Sequence, residues 1–201
     1  LLLWFLALTL FFASLAHGGD PYDPYRAVVD IKMPQHQGSG VMIAKNKKQA
    51  LILSCRHVCN RVGARTVLRW RWAGGQVTEG YVLYVHPGDD FHNDLALVVG
   101  GVPRGVDPVE VELVDSADGP WVGAGFRQEQ MRLFTADRFA VKSGRIHTFQ
   151  GAAVSGMSGG PLFNRRGAVV GVVVASDRKS ETISCDGAVL IKLVEQFRRQ
   201  Q

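Results

Sequence analysis

The hexapeptide Gly156-Met157-Ser158-Gly159-Gly160-Pro161 constrains this chain more than any other stretch. Three glycines within five positions suit neither a helix nor a strand interior, because glycine loses the most backbone entropy on ordering. The residues permit instead a tight turn whose backbone N–H groups face one point, with a serine hydroxyl beside them. Acyl transfer needs that layout, a nucleophile and a preformed anion site in one short loop. A Gly-x-Ser-x-Gly string also heads α/β-hydrolases, in which the acid and the histidine follow the serine, so the order of partners along the chain discriminates between folds.

Here both partners precede the serine. Ser54-Cys55-Arg56-His57-Val58 closes an apolar run, which puts His57 where a strand gives way to a turn. His92-Asn93-Asp94-Leu95-Ala96-Leu97-Val98 places an acid immediately before another apolar strand. A serine hydroxyl is a poor nucleophile at neutral pH, and an adjacent imidazole accepts its proton during attack. A buried carboxylate on the far ring nitrogen fixes the tautomer and stabilises the imidazolium. The catalytic candidates are therefore His57, Asp94 and Ser158. The backbone N–H groups of Gly156 and Ser158 are the candidate oxyanion hole, one such donor being worth about 3 kcal/mol of barrier.

The rest of the chain reads as strands and turns. With 201 residues, 46% apolar and 20% charged, one compact domain is expected, and 23 glycines between short apolar runs disfavour a helical bundle. Strand-like runs recur over 27–33, 40–44, 49–54, 66–72, 77–85 and 95–99. After a Gly/Pro/Val crossover at 101–107 they resume over 120–126, 131–141, 145–149, 160–163, 168–176 and 188–190. Such spacing predicts an all-β sandwich or barrel. Leu190, Leu193, Val194 and Phe197 then fall at helical spacing opposite Lys192, Glu195, Gln196, Arg198 and Arg199, which predicts a short amphipathic terminal helix.

His57, Asp94 and Ser158, in that order and in those contexts, resemble the chymotrypsin-like (trypsin-like) serine proteases over nearly everything after the first 18 residues. Gly38-Ser39-Gly40-Val41-Met42-Ile43, Ala152-Ala153-Val154 and Gly171-Val172-Val173-Val174-Ala175 resemble the strand before the histidine, the approach to the nucleophile and the substrate-pairing strand of the HtrA/Deg-type branch. The resemblance implies two six-stranded antiparallel β-barrels, an N-terminal one over about 25–105 and a C-terminal one over about 110–190, followed by a helix over about 190–199. It implies a serine endopeptidase with polypeptide substrates and no cofactor. Two departures matter. Met157 stands where trypsin-like enzymes carry an aspartate that pairs with a freshly cut N-terminus, so the loop is expected to be ordered by packing or by a partner. No PDZ domain of the HtrA/Deg type follows by Gln201. Ala152 occupies the position of the trypsin pocket carboxylate, and Val174, Ala175 and Ser176 form the opposite wall and offer main-chain pairing to substrate. Cleavage after small or medium apolar residues is expected. The rival readings are a catalytically silent peptide-binding module of the same fold and an esterase.

The remaining signals bound partners and location. Net charge is +5, but the bases are scattered, and Leu68, Trp70 and Trp72 alternate with Val67, Arg69 and Arg71 as on a half-buried strand, so no nucleic-acid partner is expected. Residues 1–16 carry no formal charge and are shorter than the about 20 apolar residues that span a bilayer. With small residues at Ser14, Ala16 and Gly18 they read as a signal peptide over 1–18, truncated at its start, leaving a protease domain over 19–201 that is secreted or periplasmic. An N-terminal extension would make the same segment a membrane anchor. Cys55, Cys59 and Cys185 are an odd set for a disulfide framework. Neither these cysteines with His57, nor His86, Asp89, Asp90, His92 and Asp94, have the spacing of a metal site, and no metal is expected.

Overall fold

The computed structural model describes residues 23–71, 74–87, 94–112, 120–136, 138–142, 146–151, 153–174 and 180–183, together with Val194, Glu195, Phe197 and Arg199. The chain is all-β, with strands arranged as one closed barrel and one further sheet.

Six strands build the barrel: β1 (Val28–Lys32), β2 (Gln37–Lys45), β3 (Gln49–Ser54), β4 (Arg65–Trp70), β5 (Gln76–Val85) and β6 (Ala96–Gly101). Their order around it is β1-β2-β3-β6-β5-β4, all antiparallel, and β1 closes the ring by pairing Ile31 with Leu68 of β4. Register shifts between Met42 and Ala44 and between Val82 and Tyr84 insert an extra residue into β2 and β5, a device that bends a sheet enough to close it. Burial follows position. On β5, Thr78, Gly80 and Val82 are more enclosed than Val77, Glu79 and Tyr81, the alternation of a strand with one wet face. Gly38 to Ala44 of β2 are all buried, so that strand has protein on both faces. β2 is the wall shared with the second half of the molecule.

The crossover is stitched to both halves. Val109 N–H donates to Met42 O at 3.0 Å, and Val111 forms a parallel bridge to Val169, flanked by bonds from Glu112 N–H to Val169 O and from Val169 N–H to Glu110 O.

The second half, expected as a six-stranded barrel, is a single sheet among the described residues. It is a seven-stranded sheet in the order β8-β7-β11-β12-β13-β10-β9, comprising β7 (Trp121–Arg127), β8 (Gln130–Ala136), β9 (Arg138–Lys142), β10 (Ile146–Gly151), β11 (Pro161–Phe163), β12 (Val169–Val174) and β13 (Ser180–Ile183). The run read as one strand over 131–141 is covered by β8, which pairs with β7, and β9, which pairs with β10, with residue 137 between them outside the described residues. β13, rich in Ser, Glu and Thr and so not conspicuous as a strand, lies between β12 and β10. Because β8 and β9 occupy opposite ends of the sheet yet are one residue apart in the chain, the sheet must curl until its ends nearly meet, within about 7 Å.

The predicted strand over 188–190 lies outside the described residues. The predicted terminal helix over about 190–199 is not delineated as an element. Of its span Val194, Glu195, Phe197 and Arg199 are described, in helical conformation. Val194 and Phe197 are buried in the core cluster that fills the barrel and extends to residues of β7, β11 and β12, and Glu195 faces Arg199 at 3.6 Å. No helix among the described residues is long and apolar enough to cross a membrane.

Candidate active site

Asp94 enters β6 from a loop and is almost wholly buried, its side chain 6% exposed, whereas the His57 side chain is 45% exposed in the turn after β3. The carboxylate holds the histidine at two points. Asp94 Oδ1 accepts the His57 backbone N–H at 2.8 Å, and Oδ2 pairs with His57 Nδ1. Burial opposes ionisation of Asp94. The hydrogen bond from the His57 ring, the ring's charge, the His57 backbone N–H and the Arg56 cation outweigh it, and hold the carboxyl below the ordinary carboxylate range. The acid therefore remains an anion at neutral pH, with the ring pinned by the nitrogen that faces it and its other nitrogen left to react.

Two consecutive turns sharing Met157 hold Ser158, the first ending just before it and the second containing it. Met157 N–H bonds to Val154 O at 3.0 Å, and Gly160 N–H bonds to Met157 O at 2.9 Å. Each turn has glycine as its third residue, Gly156 at φ +95° and Gly159 at φ +86°. That is the position where a type II turn requires the left-handed region, which a side chain resists. The hexapeptide's composition is thereby explained. Among the described residues, neither Gly156 N–H nor Ser158 N–H donates to a protein acceptor, although their neighbours Met157, Gly159 and Gly160 all do. Two amides beside the serine hydroxyl are thus left as donors. Met157 is buried among Trp121, Phe134, Leu162 and Val173, so the loop is anchored by apolar packing at the position read as replacing an ion pair.

The loop lies against the barrel at very close range. Ser39 N–H donates to Ser158 O at 2.7 Å. A Cβ built on Gly159 would lie 2.2 Å from Ser39 O, 2.3 Å from Ser54 Oγ and 3.1 Å from the Cys55 nitrogen. Cys55 is the link to the histidine, for its Sγ stands 3.7 Å from His57 Nε2. The three candidate residues, drawn from β3's end, β6's start and the turn before β11, therefore converge at the seam between barrel and sheet. Among the described residues no hydrogen bond joins His57 to Ser158.

Cys55 Sγ, His57 and Asp94 have ligand atoms within 4.8 Å of one another, the one such group among the described residues. Its chemistry does not favour a cation. Both Asp94 oxygens are engaged by His57, and complete burial, reinforced by the Asp94 charge, pushes the Cys55 thiol well above its usual range, whereas a metal needs the thiolate. Cys59 is likewise free and is pushed up to about 12 by burial.

Of the pocket residues read from sequence, Ala152, Ala175 and Ser176 lie outside the described residues. Val174 ends β12, paired through Glu181 to β13 on one side. On the other side the last bonds are those from Gly159 N–H to Val173 O and from Val173 N–H to Gly160 O, so β12 has no ladder partner there at Val174 among the described residues. Trp70 of the Arg-Trp repeat is in the barrel core with Nε1 on Thr78 Oγ1 at 2.9 Å, and Arg69 and Arg71 pair with Glu129. Sequence reasoning missed two supports of the loop. The Ser39 hydroxyl bonds across the seam to the Gly156 carbonyl and the Phe126 N–H, and the Ser54 hydroxyl supports it from β3 by donating to Ser39 O. β7 also offers Gly125, whose absent side chain lets the Met157 backbone approach, and Gly123, which leaves room for the Phe134 ring, and the alternating Gly123-Ala124-Gly125 was the available signal.

A family model described as trypsin-like peptidase domain matches residues 38–172, about two thirds of the chain and the span that holds His57, Asp94 and Ser158. The chain belongs to that family. The fold of this peptidase is shared with solved proteases. The Rv3671c protease, in a crystal structure of its inactive form, matches with a TM-score of 0.64 at 19% identity, over 86% of this chain and 89% of that one. A human pathogenic astrovirus serine protease matches with a TM-score of 0.62 at 17% identity, over 85% of this chain and 93% of that one. No curated protein matches by sequence. Family and fold together support serine protease activity and a chymotrypsin-like architecture.

Proposed function

We propose that the peptidase is a serine endopeptidase acting through an acyl-enzyme on Ser158. The observation that carries this reading is the double grip of Asp94 on His57 beside two amides, Gly156 N–H and Ser158 N–H, that have no protein acceptor among the described residues. His57 Nε2 takes the Ser158 proton as Oγ attacks the scissile carbonyl, and the imidazolium is stabilised by Asp94. The oxyanion is received by the two amides. His57 then returns the proton to the leaving amine, and water repeats the sequence to free the acyl group. An extended polypeptide pairs with β12 beyond Val173, and cleavage follows small or medium apolar residues because Ala152 brings no carboxylate to the pocket. Gly38-Ser39-Gly40 against the nucleophile loop favours the HtrA/Deg-type branch. The apolar first 18 residues favour export to a secreted or periplasmic location.

A second reading has one observation in its favour. His57 Nε2 faces Cys55 Sγ rather than Ser158, as in a peptide-binding module that has lost proton transfer. A fluorophosphonate probe distinguishes the two: labelling of the wild type and not of Ser158→Ala supports the enzyme, and absence of labelling supports the module. Digestion of casein or unfolded protein separates protease from esterase, and a peptide-library profile dominated by Lys or Arg would overturn the apolar preference.

A further inference from the structure

Ser39 is fully buried on β2 and uses every hydrogen-bonding group it has. Its hydroxyl donates to Gly156 O at 3.0 Å and accepts from Phe126 N–H at 2.7 Å. Its backbone N–H donates to Ser158 O at 2.7 Å, and its carbonyl accepts from Ser54 Oγ at 2.8 Å. The two loop contacts fall on particular peptide groups. The peptide between Gly156 and Met157 is held at its N–H by Val154 O and at its C=O by the Ser39 hydroxyl. The peptide between Ser158 and Gly159 is held at its N–H by Val173 O and at its C=O by Ser39 N–H. These clamped peptides flank the one that carries Ser158 N–H, and the first adjoins the one that carries Gly156 N–H.

We infer that the Ser39 hydroxyl is a positioning group for the oxyanion hole: it holds the Gly156 carbonyl and so keeps Gly156 N–H aimed at the developing oxyanion. This rests on the assignment of Ser158 as nucleophile. The peptide between Ser155 and Gly156 is where a type II turn converts to type I, by rotation about the Ser155 ψ and Gly156 φ bonds, and that rotation turns the Gly156 N–H away. Gly156 at φ +95° is in the conformation the type II form needs. Without the Ser39 hydroxyl, the Gly156 carbonyl and Phe126 N–H both lose a buried partner, and the loop gains a reason to rotate toward other acceptors or water. β7 is tied into the same point through Phe126, so barrel, sheet and loop meet on one oxygen.

The test is Ser39→Ala, with Asn164→Ala as the comparator. Asn164 is buried in the turn at the far end of the β11–β12 hairpin, where its side-chain oxygen accepts from the Arg166 and Ala168 N–H groups, so its loss destabilises the fold away from Ser158. Kinetics on a peptide substrate, affinity for a peptidyl boronate and thermal melting are measured for each. Ser39→Ala is expected to lower kcat about 100-fold, the effect of losing one oxyanion donor, with KM within about threefold and boronate affinity falling in parallel with kcat. Asn164→Ala is expected to lower the melting temperature with kcat unchanged. A kcat within about threefold of wild type for Ser39→Ala, or equal losses of kcat in both variants, would overturn the inference. If Ser39→Ala does not fold, Ser39→Cys decides: its weaker donor should cost kcat about tenfold in a folded protein, and wild-type kcat would refute the role. Failure of the wild type to react with a fluorophosphonate sinks the nucleophile assignment instead, which is a separate outcome.

Discussion

Gly159→Ala tests how tightly the nucleophile loop is pressed on the barrel. Gly159 stands at φ +86°, and moving an L-residue into that region costs about 1–2 kcal/mol. The larger effect is contact. A new Cβ would lie 2.2 Å from Ser39 O and 2.3 Å from Ser54 Oγ, far inside van der Waals range, and Ser39 O belongs to a fully buried strand that cannot swing aside. Relief requires the loop to move outward, at about 1–3 kcal/mol for overpacking, and that motion stretches the Ser39 N–H to Ser158 O bond. The total, about 2–5 kcal/mol, is a large fraction of a domain's usual stability of about 5–15 kcal/mol. Gly63→Ala separates the two contributions, because Gly63 has a similar φ of +79° but nothing within 4 Å of the built Cβ. It should cost only the conformational part, about 1–2 kcal/mol. Urea unfolding of both variants, with fluorophosphonate labelling rates at Ser158, gives the comparison. A Gly159→Ala loss no larger than that of Gly63→Ala, with unaltered labelling, would refute the close-contact argument.

Asp94→Asn should lower kcat about 10³–10⁴-fold while leaving the protein folded, measured by steady-state kinetics beside circular dichroism. Because the Asp94 pKa lies below its ordinary value, the stability it contributes is complete above about pH 4 and is lost only as pH falls through the folded pKa. Urea midpoints for wild type and Asp94→Asn should therefore converge in strong acid and differ at pH 7. Asp30, fully buried on β1 with Oδ2 lacking a partner among the described residues, behaves in the opposite sense. Burial raises its pKa against the lowering by Gln37, Lys32, Arg69 and Arg71, so its ionisation at neutral pH weakens the fold. Asp30→Asn should raise the urea midpoint at pH 7, and the gain should shrink as pH falls through the Asp30 value; a lower midpoint at pH 7 would contradict this. In a Cys185→Ser background, Cys55 and Cys59 should resist iodoacetamide at pH 8 until the protein is unfolded, since burial holds both thiols protonated and out of reach.

The order His57, Asp94, Ser158 and the glycines at 156 and 159 were legible because local chemistry demands them. A type II turn needs glycine at its third position whatever surrounds it, and strand ends announce themselves by apolar runs that stop. The barrel strands were readable for the same reason: alternation on β4 and continuous burial on β2 and β3 follow from which faces are wet. Strands with weak local signals were not readable. β13 has the composition of a loop and becomes a strand only because β12 and β10 supply ladder partners on both sides. That the run over 131–141 pairs with β7 through β8 and with β10 through β9 is likewise a long-range choice, absent from a window of adjacent residues. The same holds for Ser39. Its sequence context marks a close-packed strand, but its four bonds reach residues 54, 126, 156 and 158, and only folding brings those together. Residue types and turns were set locally. The support of the nucleophile loop, and the grip of Asp94 on His57, were decided by contacts between distant segments, which depend on the whole chain's packing.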